Sequence, residues 1–286
     1  MRLCRYDSDR LGVVRDGQVF DATAALEAIP PRRPPYPIGD PVVAALPELR
    51  PAIEAAAGRA TPRPLSSVRL EAPVWHVGKV VAAPVNYRKH MEESEADPAI
   101  NFNRQVLGIR TAGLFLKATS SIIGPSDPVR LRFPDRRNDH EVELALVIGR
   151  TARDVRAADA LPYVAGYCVG LDMTVRGTED RSFRKSVDSY TVLGPWLVTA
   201  DEVPNPSDLP FSITVNGEVR QHARTSDLLL GIGELIEFAT RYYTLHPGDV
   251  IMTGTPEGVG PVLPGDMMHA RIEGIGEMTV RIEAAA

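Results

Sequence analysis

Short runs of β-forming residues, each closed off by glycine or proline, most restrict how this chain can fold. Val77–Val81, Val129–Arg132, Glu141–Ile148, Ser212–Val215, Val250–Met252 and Met278–Ile282 all read this way. With 23 Gly and 25 Pro in 286 residues, the punctuation is frequent enough to keep such strands short. At the N-terminus, Leu11–Val14 and Gln18–Phe20 flank Asp16-Gly17, a hairpin signal, so residues 1 to about 27 predict a small β-rich opening. Residues 28–70 gather Pro30, Pro31, Pro34, Pro35 and Pro37 ahead of a helix expected at 48–57, and read as a connector. This length accommodates two domains: a small N-terminal domain with its connector over 1–70, and a larger β-rich domain over 71–286. One long helix is predicted at Ser226–Tyr242, where Leu228, Leu229, Ile232, Leu235, Ile236 and Ala239 recur at three- and four-residue spacing. Ser226 or Asp227 is placed to cap it, and Pro247-Gly248 lies soon after its end.

Charge and cysteine usage narrow the function classes. The formal net charge is -5 with no block of like charge, which excludes the basic footprint of a nucleic-acid binder and leaves anionic ligands to be met locally. Cys4 and Cys168 are far apart and lack metal-ligand spacing, so both are expected in the core of a protein from a reducing cytoplasm. The alternating charges Arg2, Arg5, Asp7, Asp9 and Arg10 do not make a signal peptide, and the uncharged run Leu144–Gly149 is too short to span a bilayer. A soluble, cytoplasmic protein without membrane partners is the expectation.

Chemistry enters at Asp139-His140-Glu141-Val142-Glu143-Leu144-Ala145-Leu146-Val147-Ile148-Gly149. A period-two strand puts Glu141 and Glu143 on one face, about 7 Å apart, with Ala145 and Val147 continuing that face and His140 on the other. Two carboxylates on a buried face need protonation, paired cations or a metal. Alternatively, the strand emerges into solvent at its N-terminal end. Asp172 ends a second β-type run from Val164 and by itself reads as a helix cap. Three carboxylates without a Cys or His cluster favour a hard, oxygen-preferring ion, Mg²⁺ or Mn²⁺, over zinc.

These residues belong to an ordered set of motifs: Asn86-Tyr87-Arg88-Lys89-His90 with Glu93, Phe115-Leu116-Lys117 leading to Gly124-Pro125, Glu141-Val142-Glu143, Asp172, Lys185 through Asp188 to Leu193-Gly194-Pro195-Trp196, and Thr253-Gly254-Thr255-Pro256. In that order they resemble the fumarylacetoacetate hydrolase family from about residue 71 to the C-terminus. The resemblance implies a mixed α/β, β-rich fold, with a β-roll or distorted β-barrel as catalytic domain behind a small N-terminal β-containing domain, usually paired as a homodimer. It implies one Mg²⁺ or Mn²⁺ per subunit on Glu141, Glu143 and Asp172, and a His90–Glu93 catalytic dyad in a lid. It places Lys185 beside the metal as a further catalytic group, and Tyr87, Lys117, Arg176 and Thr255 around the substrate. The sequence departs from the family pattern at Ala82-Ala83-Pro84-Val85, Ala118, Gly177 and a long 94–113 segment, all of which bear on substrate choice.

A 2-oxo acid can chelate such an ion, which then stabilises an enolate. For a 2,4-dioxo acid of acylpyruvate or fumarylpyruvate type, His90 would deprotonate the water that attacks the distal carbonyl, with Glu93 orienting the ring from one helical turn away. Outside the resemblance, His90 reads as a surface residue of a charged helix, Lys185 and Lys117 read as solvated lysines, and 253–260 reads equally as a plain loop. Arg176 is open between meeting the substrate and pairing with Glu179. Oxaloacetate-type decarboxylation, hydration or isomerisation of 2-oxo-alkenoic diacids, and a catalytically silent ligand-binding dimer are the competing readings.

Overall fold

All seven residues of the Val142–Ile148 strand are buried, because the strand has antiparallel neighbours on both sides and packing on both faces. Val164–Asp172 pairs along one edge and Val250–Met252 along the other. Val142, Leu144, Leu146 and Ile148 enter one apolar cluster, while Ala145 and Val147 enter a second. The solvent-emergent alternative for this strand is thereby excluded. The computed structural model describes residues 1–31, 33–34 and 38–285; Pro35 and Pro37 of the proline cluster lie outside the described residues.

The main sheet runs in the order Arg63–Pro64, Gln18–Asp21, Arg10–Arg15, Arg2–Tyr6, Thr191–Thr199, Val164–Asp172, Val142–Ile148, Val250–Met252, Val80–Ala82, Phe115–Lys117. Its two end strands do not pair with each other, so among the described residues the sheet is open. The fold is mixed α/β and strand-rich, as expected, without the barrel closure that the resemblance implied. A second sheet joins Glu218–Arg224, Pro210–Val215, Met267–Ile272, Gly276–Ala284 and Val129–Leu131. A third joins Thr174–Val175, Asn138–His140 and Gly260–Pro261.

The N-terminal hairpin forms at Asp16-Gly17, both with positive φ (49° and 71°), as a primed turn requires. The first strand pairs with Thr191–Thr199, and Met1, Leu3 and Leu11 share an apolar cluster with Ala145, Val147 and Val250. The connector also holds the helices Pro41–Ala44 and Leu46–Arg59, the latter covering the helix expected at 48–57. Buried Asp40 caps the first of these through the amides of Val42 and Val43 (2.8 and 3.0 Å) and also accepts the amides of Trp75 and His76 (2.8 Å each). Cys4 and Cys168 are buried and free, and burial pushes both thiols up to about 12. No helix among the described residues is long and apolar enough to cross a membrane.

Two expected elements are corrected. The strand drawn from Glu141 to Ile148 begins at Val142, and the residues just before Glu141 belong to the third sheet. The helix drawn from Ser226 begins at Ile232 and reaches Tyr242. Asn86 explains the second difference. Its side chain donates to the carbonyls of Leu230 (3.0 Å) and Thr253 (2.9 Å) and accepts the Leu230 amide (2.8 Å), while its carbonyl accepts the Leu229 amide (2.8 Å). Those bonds hold residues 229–230 in a bend outside the helix, so Leu228 and Leu229 contribute apolar spacing without helix. Asn86→Ala leaves several buried backbone groups unsatisfied and is expected to cost about 3 kcal/mol. Urea unfolding measures this, and a loss below about 0.5 kcal/mol would remove Asn86 from its structural role.

Candidate metal and carbonyl-chemistry site

The antiparallel register Val142↔Leu171 and Glu143↔Gly170 sets Asp172 directly opposite Glu141, and the Asp172 amide donates to the Glu141 carbonyl at 2.9 Å. Directly opposed residues share a face, as do residues two apart on one strand. Glu141, Glu143 and Asp172 therefore converge, each offering an oxygen, and these oxygens lie within 4.8 Å of one another. All three are buried, at 4%, 1% and 1% exposure.

Cations arrive from three other places. Lys185, at the end of the helix Arg181–Lys185, donates to Glu141 Oε2 (2.6 Å) and Asp172 Oδ2 (2.7 Å). Lys117, on the strand Phe115–Lys117, donates to Asp172 Oδ1 and to the Tyr190 carbonyl (2.9 Å). Arg176 donates to Glu141 Oε1 (3.0 Å) and Asp139 Oδ2 (2.8 Å). Burial would raise the Glu141 carboxyl, but Lys185 and Arg176 outweigh it and leave it below the usual range. Burial lowers the Lys117 ammonium against the pull of Asp172.

Glu143 is the exception. It has no ion pair among the described residues, and its Oε2 accepts only the Gly254 amide, at 2.7 Å. Burial, followed by the charge of Asp172, pushes its carboxyl well above its ordinary value. A clustered set of hard oxygen donors with its uncompensated member in the middle of the sequence motif fits a divalent cation of the Mg²⁺ or Mn²⁺ type.

His90 and Glu93 lie on the helix Arg88–Ala96, with His90 Nδ1 and Glu93 Oε2 2.9 Å apart. Glu93 Oε1 accepts the Gly258 amide at 2.9 Å, which ties the pair to the loop that also holds Glu143. His90 Nε2 has no hydrogen bond among the described residues. A cavity of about 390 Å³ is lined by His90, Glu141, Glu143, Arg176, Lys185 and Thr255, and by much of 83–85 and 94–112. His90 and the Glu141 and Glu143 carboxylates thus open onto one space.

The remaining expected residues are placed differently. Arg176 pairs with Asp139 and Glu141, whereas Arg136 takes Glu179 with two bonds (2.9 and 2.8 Å). Lys117 reaches the cluster without lining the cavity. Tyr87 likewise does not line it; the ring is buried edge-on against Phe211 at 6.2 Å, with its hydroxyl unbonded. The Thr255 hydroxyl donates to the Val142 carbonyl (3.0 Å) and accepts from Gln221 (2.8 Å), so its one proton is already used.

Sequence reasoning missed Asp139 and Gln221. Asp139 was available as the next odd-numbered residue before Glu141. Gln221, on the strand Glu218–Arg224, accepts the Val142 amide (3.0 Å) and donates to the Pro256 carbonyl (2.9 Å). No local signal marked it, because its partners lie on other strands and loops.

Comparison with known proteins agrees with this geometry. The family model described as Fumarylacetoacetate (FAA) hydrolase C-terminal matches residues 79–283. The chain is 55% identical over 289 residues to the maleylpyruvate hydrolase of Aquipseudomonas alcaligenes, a match covering 99% of this chain and 100% of that one. The crystal structure of maleylpyruvate hydrolase from Sphingobium sp. SYK-6 in complex with manganese(II) ion and pyruvate is 42% identical, with a TM-score of 0.85 and 100% of both chains covered. A mitochondrial oxaloacetate tautomerase of Rattus norvegicus is 35% identical over 225 residues, covering 74% of this chain and 69% of its own. With a full-length relative at this identity and a family model spanning most of the second sheet and the carboxylate cluster, the chain belongs to the fumarylacetoacetate hydrolase family.

Proposed function

We propose that this chain is a divalent-metal-dependent hydrolase that cleaves the C3–C4 bond of a 2,4-dioxo acid of the maleylpyruvate type. The observation that carries this reading is the opening of His90 and of the Glu141 and Glu143 carboxylates onto one cavity. The likeness to maleylpyruvate hydrolases over the whole chain supports it. Glu141, Glu143 and Asp172 are the residues that would hold the ion, Mg²⁺ or Mn²⁺, one per subunit. The chemistry it supplies when bound is Lewis acidity toward the keto oxygen of the 2-oxo acid.

With the proton of the ring on Nδ1 facing Glu93, His90 Nε2 is the free base. It takes a proton from water, whose oxygen attacks C4. Breaking C3–C4 leaves its electron pair in the pyruvate enolate and gives the acyl half as a carboxylic acid; His90 then returns the proton to C3. Glu93 holds the imidazolium, and its bond to the Gly258 amide fixes where the ring sits. Lys185 stands beside Glu141 and Asp172, where its ammonium favours negative charge on substrate oxygen. Arg176 and Lys117 hold the carboxylates in place, and Thr255 positions its loop. A homodimer in a reducing cytoplasm completes the reading, in keeping with two buried, unpaired cysteines.

His90→Ala should lower kcat for maleylpyruvate by roughly 10²- to 10⁴-fold while leaving Mn²⁺ affinity nearly unchanged. Retention of the full rate would remove water activation from His90 and favour decarboxylation, which needs no attacking water. Glu143→Gln should weaken Mn²⁺ binding by more than the roughly 10- to 100-fold that loss of an outer partner of a metal ligand costs. Titration followed by electron paramagnetic resonance measures it, and wild-type affinity in that variant would exclude Glu143 as a ligand. Chelation followed by re-addition of Mg²⁺ or Mn²⁺ should abolish and restore turnover; activity that survives chelation contradicts the metal requirement.

A further inference from the structure

Four arginines line the cavity: Arg104, Arg176, Arg181 and Arg184. Arg176 is held by Asp139 and Glu141, and Arg104 donates to the Thr178 carbonyl at 2.7 Å. The other two, on the helix Arg181–Lys185, have no carboxylate partner among the described residues. Arg181 lines the cavity with no hydrogen bond or ion pair among the described residues, its guanidinium carbon 5.8 Å from the centre of the Phe115 ring. Arg184 also lines it, donating only Nε to the Glu179 carbonyl (3.1 Å), while its Nη1 is buried without a partner. Burial disfavours the charged form of both.

The nearby acids Glu179 and Asp180 make no ion pair with either among the described residues. Both Glu179 oxygens are taken by Arg136, and Asp180 Oδ1 accepts the Ser182 amide as the cap of the same helix. Arginine does not shed its proton, so a partly buried guanidinium without an anion is a cost the fold carries until an anion arrives. The helix that delivers Lys185 to the carboxylate cluster also carries both of these cations. Lys185 reaches the carboxylate cluster, and Arg181 stands one helical turn away, roughly 6 Å along the axis. That displacement suits a carboxylate separated from the keto group by the acyl portion of a seven-carbon substrate. Ile100, Val106 and Leu107 also line the cavity and offer apolar surface to that acyl portion.

We propose that Arg181 and Arg184 bind the carboxylate at the far end of the substrate, so that the chain selects 2,4-dioxo diacids over acylpyruvates with a neutral tail. This rests on the hydrolase reading for its chemistry, and is tested by binding so that the two can fail separately. The probes are 2-oxopimelate and 2-oxoheptanoate, equal in length, lacking the 4-keto group needed for cleavage, and differing in a terminal carboxylate against a methyl.

Calorimetric titration of the Mg²⁺-loaded protein should give 2-oxopimelate an advantage of about 10- to 100-fold. Arg181→Met and Arg184→Met should each weaken 2-oxopimelate at least tenfold more than 2-oxoheptanoate, and the lysine variants should recover part of the difference. Equal affinity of the wild-type protein for the two probes, or equal losses for both in the methionine variants, overturns the proposal. Maleylpyruvate turnover is measured alongside. A probe difference without turnover keeps the carboxylate site and removes the hydrolase; turnover without a probe difference does the reverse.

Discussion

Glu141 and Asp172 face each other across an antiparallel strand pair, a placement that is unfavourable for two like charges on its own. Much of the surrounding structure answers that placement. The strand Phe115–Lys117 brings Lys117 to one oxygen of Asp172, and the helix Arg181–Lys185 brings Lys185 to the other. Arg176 spans from Glu141 to Asp139. Removing Lys185 would leave Glu141 and Asp172 with one cation each, and an under-compensated buried carboxylate is costly. The cluster therefore makes distant parts of the chain depend on one another, and Glu143, left without a cation, is where that mutual compensation stops.

The loop after Val250–Met252 links the two halves of the site. Gly254 and Gly258 both have positive φ, 98° and 90°, and their amides bind the carboxylates of Glu143 and Glu93. A Cβ at Gly254 would lie 2.8 Å from the Asn86 Cβ, and one at Gly258 would lie 2.0 Å from the Arg220 carbonyl oxygen. Glycine is needed at both positions for conformation and for space. The spacing between the two amides sets where the His90 ring stands relative to the acidic cluster. Asn86 fixes the same loop from beneath through the Thr253 carbonyl, so the position of the helix bearing His90 is coupled to the position of the metal-type donors.

Several features of this arrangement are readable from residue order because their causes are local. The Asp16-Gly17 hairpin needs only a turn preference, and the placement of Glu141 and Glu143 on one face needs only the two-residue period of a strand. The His90–Glu93 contact follows from helical spacing. By contrast, the helix expected from Ser226 starts at Ile232 because Asn86, far away in the chain, holds residues 229–230 in a bend. Arg176 could not be assigned from its neighbours, since Glu179 lies only three residues on whereas its partner Asp139 lies 37 residues back.

By itself, then, the order of residues determined the strand-rich class, the carboxylate pair on one strand face and the imidazole–carboxylate pair on one helix, since each arises from interactions spanning a few residues. Tertiary structure alone decided that Asp172 joins the carboxylates, that Lys117 supports the cluster from outside the cavity, that Tyr87 turns into the core, and that Arg181 and Arg184 line the cavity without counter-charges. Those outcomes depend on register between strands and on which groups are desolvated together, and neither is carried by any short stretch of chain.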